Sequence, residues 1–128
     1  MSYNFTKKTS LPFEEAIKKI TEELKKEGFG IISEIDLKEK FKEKLGVDFR
    51  SYKILGACNP KMAYQAIEKE SNIGTMLPCN ILVQEHKPGE VEISAINPME
   101  SMSAVHNKEL EAIATQVSNS LQAVINRL

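Results

Sequence analysis

The runs Ile81–His86 and Val91–Ile96, separated by Lys87-Pro88-Gly89-Glu90, limit the fold more than any other feature of this chain. Both are short, rich in strand-forming residues and bounded by turn residues. Between them Pro88 supplies the fixed φ, and Gly89 the positive φ, that the two central positions of a type II turn require. The pair is therefore expected to form a hairpin. Antiparallel strands with helices on one face make an α+β sandwich. The cover for such a sheet is written at the end of the chain. From Asn107 onward, Leu110, Ile113, Ala114, Val117, Leu121, Val124, Ile125 and Leu128 share one helical face, the strongest periodic signal in the sequence. That stripe exceeds what one small sheet needs, so a homodimer is expected.

The rest of the chain supplies further elements of both kinds. Tyr3–Thr6 reads as a short strand. A helix is expected from Ser10–Pro12, because proline is tolerated in a first turn, and Phe13, Ile17, Ile20 and Leu24 follow at helical spacing up to a left-handed cap at Gly28. Phe29–Ile35 is a strand. Asp36 with Glu39 has the form of an N-cap and its reciprocal partner, opening a helix in which only the narrow edge Leu37, Phe41 and Leu45 is apolar, stopped by Gly46. Tyr52–Cys58 is the next strand, with Tyr52, Ile54, Gly56 and Cys58 on one face and Lys53, Leu55 and Ala57 on the other. Asn59 is a favoured N-cap and Pro60 fits the first position of a helix carrying Ala63, Ala66 and Ile67. Asn72 and Gly74 mark a loop, and Met99–Ser103 reads as another.

Composition weighs against several function classes. A length of 128 residues suits one domain, 1–128, and 41% hydrophobic with 27% charged residues suits a globular protein. The formal net charge is -1, and lysines alternate with glutamates along the helices. This argues against a nucleic-acid partner, whose phosphates call for a concentrated basic face. No apolar run approaches the ~18 residues of a membrane span. The opening MSYNFTKKTS lacks the pattern of a secretion signal, so the cytoplasm is the expected compartment and Cys58 and Cys79 are expected to be thiols.

No catalytic motif is present. There is no G-x-S-x-G, phosphate-cradling glycine loop or H-E-x-x-H, and neither histidine has a nucleophile at a recognisable spacing. Enzymatic activity is thus not expected, nor is a cofactor. A structural zinc site needs about four N or S ligands. Cys58, Cys79, His86 and His106 lack the paired spacings of such a site, so no metal is expected.

What remains is a pair of near-mirror signatures, Cys58-Asn59-Pro60 and Pro78-Cys79-Asn80. Cys58 closes a strand and precedes a helix, where exposed N–H groups favour a thiolate, and Cys79 would be its resolving thiol if the two meet. The plainer reading makes both cysteines small core hydrophobes, each on a face shared with Ile or Val. The asparagines likewise have local uses: Asn59 as a cap, Asn80 at a strand rim and Asn97 before Pro98. Taken together, Cys58, Asn59, Pro60, Pro78, Cys79, Asn80 and Asn97 are candidates for a rim that binds a small polar or anionic ligand at a helix N-terminus. Everything turns on strand direction. Parallel strands would set the cysteines roughly 20 Å apart at opposite ends of the sheet. Antiparallel strands would set them on one rim, since the segment 71–78 can reach up to about 26 Å.

The run GFGIISEIDLKEKFKEKLGVDFRSYKILGACNP, the later MLPCN and the strand-ending INP resemble the uncharacterised family known as domain of unknown function 302, across nearly the whole chain. The resemblance implies a β-α-β(4)-α architecture similar to the TATA-box-binding-protein-like fold, with extra helices at Asp36–Leu45 and Pro60–Glu70 and dimer formation. It favours the one-rim arrangement and carries no activity. The expectation is an antiparallel sheet of about five strands covered by the first and last helices. The function expected is a non-enzymatic dimeric module binding a small polar or anionic ligand. A thiol redox or sulfur-handling protein and a structural interaction protein are the alternatives.

Overall fold

The computed structural model describes residues 2–128. Lys87 O accepts from Glu90 N–H at 2.8 Å across Pro88 and Gly89, and Gly89 has φ +85, so the expected type II turn closes the hairpin of β4 (Cys79–Glu85) and β5 (Val91–Ile96). Around it lies one antiparallel sheet in the order β1-β5-β4-β3-β2, with β1 at Asn4–Thr9, β2 at Gly30–Asp36 and β3 at Tyr52–Cys58. β1 and β2 are opposite edges, and helix α1 (Phe13–Lys26) carries the chain from one to the other. From β2 the chain meanders back, with α2 (Leu37–Leu45) inserted before β3, and α3 (Pro60–Lys69) with a 3-10 helix (Ser71–Met76) before β4. After β5 come a short α4 (Pro98–Ser101), a 3-10 turn (Ser103–Val105) and the long α5 (Lys108–Asn126). This is an α+β fold.

The core lies between one sheet face and α1 with α5. Strand alternation puts Leu55 and Ala57, Cys79, Ile81 and Val83, and Val91, Ile93 and Ala95 on that face. Ile20 and Leu24 of α1, and Leu121, Val124 and Ile125 of α5, close over them. Fully burying one such side chain is worth about 1.5–3 kcal/mol. A charged clasp ties the two covering helices: Glu23 accepts from Arg127 Nε at 2.7 Å and from Lys26 Nζ at 2.7 Å. These hydrogen bonds, Lys26 first, hold the Glu23 carboxyl down at about 2.

Several expectations need correction. Most of the apolar stripe of α5 packs inside the chain, against the sheet, α1, α3 and α4, while Ile113 and Leu128 stay partly buried. β1 is longer than expected, running to Thr9. Pro12 stands at the N-cap of α1 rather than inside its first turn, so the helix starts at Phe13. Met99–Ser103 is not a loop, because Asn97 accepts from Met99 N–H and starts α4. The segment after α3 winds into the 3-10 helix, with Ile73 buried. α2 buries no residue at all, Leu45 being 69% exposed. It is held by the Asp36 cap, which accepts from Glu39 N–H at 3.0 Å, and by Phe41 against Phe49 at 5.1 Å between rings.

Candidate functional site

β3 and β4 are antiparallel with Ala57 opposite Cys79, which puts Cys58 and Cys79 at one rim of the sheet. The parallel alternative is excluded by this register. Successive residues of a strand point to opposite faces, so Cys79, opposite Ala57, lies on the core face and Cys58 on the other. Cys79 is 7% exposed and Cys58 half-buried; both are free thiols. Only Cys79 therefore occupies a core position. The two thiols form no disulfide. Burial, with a smaller contribution from neighbouring Cys58, pushes the Cys79 thiol up to about 11. It stays protonated near neutrality.

A cavity of ≈ 250 Å³ opens beside this rim, between the strand ends, α3 and α5. The strand ends contribute Ala57, Cys58, Pro78 and Cys79. Asn59, Met62, Ala63 and Ala66 come from the cap and body of α3. Across the gap stand Pro98, Met102, Ile113, Ala114 and Val117. The space exists because alanines occupy the facing positions of α3 and α5, where protein interiors are otherwise filled to crystal-like density. No charged residue lines it.

Of the seven residues expected at a ligand rim, Cys58, Asn59, Pro78 and Cys79 line this cavity, and Pro60, Asn80 and Asn97 do not. Asn80 is exposed and lies opposite Gly56, on the sheet face away from the helices. Asn97 is 3% exposed and fully engaged: its Nδ2 donates to Ser2 O at 3.1 Å, and its Oδ1 accepts from Ser118 Oγ at 2.8 Å and Met99 N–H at 3.2 Å. Asn59 is engaged as well, accepting from Met62 N–H at 3.2 Å and donating to Glu27 O at 3.4 Å. Pro60 has no N–H, Met62 gives its own to Asn59 Oδ1, and Ala63 gives its own to Asn59 O at 2.9 Å. The helix N-terminus expected to hold an anion is thus largely satisfied from within the chain.

The residues that sequence reasoning missed are the apolar ones, Phe29, Met62, Ala63, Met102 and Ala114 among them. The available signal was Ala63 and Ala66 of α3, read as part of a modest apolar stripe, where they border a gap. Pro78 follows a cis peptide bond and sits over Gly56, where an added Cβ would meet Pro78 Cγ at 2.7 Å and also strike Ser33 Oγ. The glycine lets the second signature lie flat on the first strand. Among the described residues, no three His, Cys, Asp or Glu side chains gather as metal ligands, and no helix is long and apolar enough to cross a membrane.

The family model described as "Domain of unknown function DUF302" matches residues 5–128. The chain belongs to the DUF302 family. Among solved structures, it is similar to the uncharacterized conserved DUF302 protein from Bacillus stearothermophilus, with a TM-score of 0.91 and 30% identity over 99% of this chain and 98% of that one. No curated protein matches. Membership in DUF302 brings no assigned activity, so what the rim of this DUF302 protein does must be argued from its own geometry.

Proposed function

We propose that this DUF302 protein is a non-enzymatic module that binds a small molecule in the cavity beside the Cys58–Cys79 rim. The observation that carries this is the cavity itself, ≈ 250 Å³ of space kept open by alanines where two helices meet the sheet. Its size falls between the apolar cavity of about 150 Å³ that takes up benzene and the roughly 300–1,000 Å³ of pockets for drug-sized ligands. The lining supports an uncharged ligand in place of the polar or anionic one expected from the asparagines, whose amides are either used up or outside it. An ion would lose its hydration there and find no partner charge.

Thermal unfolding with toluene, and separately with inorganic phosphate, tests the reading. Binding to the native state raises the midpoint with ligand concentration. Toluene is expected to do so and phosphate is not. Ala63→Leu, which puts three extra carbons into the space, is expected to abolish the toluene response while the protein remains folded. A midpoint that ignores toluene up to its solubility limit would remove the proposal.

Homodimer formation belongs to the proposal through a different surface from the one expected. With most of the α5 stripe covered, its support is the sheet face away from the helices, where Ile35 and Tyr3 are exposed beside Ile54, Leu82 and Ile96. Sedimentation of the wild type against Ile35→Lys tests it, and a monomeric wild type at high protein concentration ends it. A thiol redox role has less support, since the two cysteines lie on opposite faces and Cys79 is held protonated.

A further inference from the structure

We infer that the pocket selects an uncharged aromatic molecule of one or two rings over an alicyclic molecule of the same size, an inference that rests on the binding function proposed above.

The first observation is where the sulfur lies. The chain has two cysteines and five methionines, and Cys58, Cys79, Met62 and Met102 all line this one cavity. More than half of the sulfur side chains thus border a space lined by an eighth of the residues. Leucine would fill the Met62 and Met102 positions with comparable volume and better-defined rotamers. What sulfur adds is polarisability: a thioether about 5 Å from an aromatic ring is attracted to it, each contact corresponding to roughly a two- to tenfold preference.

The second observation is the environment of one of these sulfurs. Cys79 is more than nine-tenths buried, lines the cavity and makes no hydrogen bond to any described residue. Its S–H is a weak donor with no protein acceptor, and the face of an aromatic ring is an acceptor of matching softness. An alicyclic ring offers nothing in return. Phe29 is the one aromatic side chain in the lining. The absence of any charged lining residue excludes an ionised substituent from the buried end, because such a group would be left unpaired there. Volume sets the upper limit at about two fused rings, given that about 150 Å³ accommodates benzene.

The test uses the intact protein labelled with ¹³C at the methionine ε-methyls, titrated with toluene and, separately, with methylcyclohexane. Each dissociation constant is corrected for that probe's own transfer from water to alkane, since the alicyclic compound is the more hydrophobic. Toluene is expected to be favoured about fivefold or more after correction, and to move the Met62 and Met102 methyl resonances through its ring current. In Met62→Leu/Met102→Leu the ratio of the two corrected constants is expected to shrink toward parity. Equal corrected constants in the wild type, or methionine methyls that do not move as toluene saturates, would overturn the aromatic inference and leave the binding proposal standing. Should neither probe bind up to its solubility limit, both fall together. If the double variant does not fold, the wild-type comparison of the two probes decides by itself.

Discussion

Cys58-Asn59-Pro60 and Pro78-Cys79-Asn80 are near mirror images in sequence and meet at the same rim of the sheet, yet their residues have been sorted to different surroundings. In the first, the cysteine is half-buried and the asparagine works, capping α3 and fastening it to the end of α1 through Glu27 O. In the second, the cysteine is buried against the core and the asparagine is exposed on the far face. One residue of strand register separates the two outcomes, because Ala57 rather than Cys58 stands opposite Cys79. A motif that looks symmetric along the chain need not be symmetric in space when its members alternate across a sheet. Two thiols on one rim are therefore not automatically a pair.

The largest expected effect is on thiol chemistry. Alkylation of the native protein should modify Cys58 about a hundredfold faster than Cys79 or more, since Cys79 must wait for an opening of the fold. Peptide mapping after a timed reaction checks this, and similar rates at both sites would break the comparison. Cys79 also carries a pH signature. Its folded value, about 11, is raised above the 9.0 of the free thiol, so the folded state holds the proton more tightly. That stability is fully present below pH 9 and is lost as pH rises from about 9 toward 11, where the unfolded chain has released its proton and the native one has not. Cys79→Ala should flatten the alkaline decline, and Cys58→Ala should alter it much less.

Next in size is Gly56→Ala, which presses a methyl group between Ser33 and Pro78 and should cost roughly 1–3 kcal/mol by overpacking. Denaturant titration measures it; a neutral result would mean that the second signature is not seated on β3. The asparagines form a graded series that starts at a similar size. Asn97→Ala, which strands the buried Ser118 hydroxyl and removes the α4 cap, should lose about 2–3 kcal/mol. Asn59→Ala should lose about 1 kcal/mol as an ordinary cap, and Asn80→Ala should fall within about 0.5 kcal/mol of the wild type. Equal costs at Asn59 and Asn80 would restore the symmetry that the fold denies.

Much of the fold was legible because it is written in local chemistry. Pro88-Gly89 specifies its turn, Asn59 and Asp36 cap the helices that follow them, and Gly28 and Gly46 are left-handed where α1 and α2 end. The candidate site was legible only by half. Cys58, Asn59, Pro78 and Cys79 were singled out by their repetition and do border the cavity, but the polar character assigned to them was not theirs to keep. An asparagine side chain has few hydrogen bonds to give, and Asn59 and Asn97 spend theirs on their own backbone and neighbours. Met99–Ser103 was misread for a related reason: its helix depends on a cap and on Ser118, nineteen residues further on, which donates to the same asparagine.

Alone, the sequence determined an antiparallel hairpin, helices with caps and amphipathic faces, and membership in one family, because turn dihedrals, caps and apolar periods act over a few residues. The tertiary structure decided what no short range can contain. It set the register that parts Cys58 from Cys79, and it turned the apolar stripe of α5 inward. It also left unfilled the gap between alanines of two helices some fifty residues apart in the chain. Register and voids are properties of how distant elements meet, and their physical cause is side-chain alternation and volume summed across elements that are neighbours only in space.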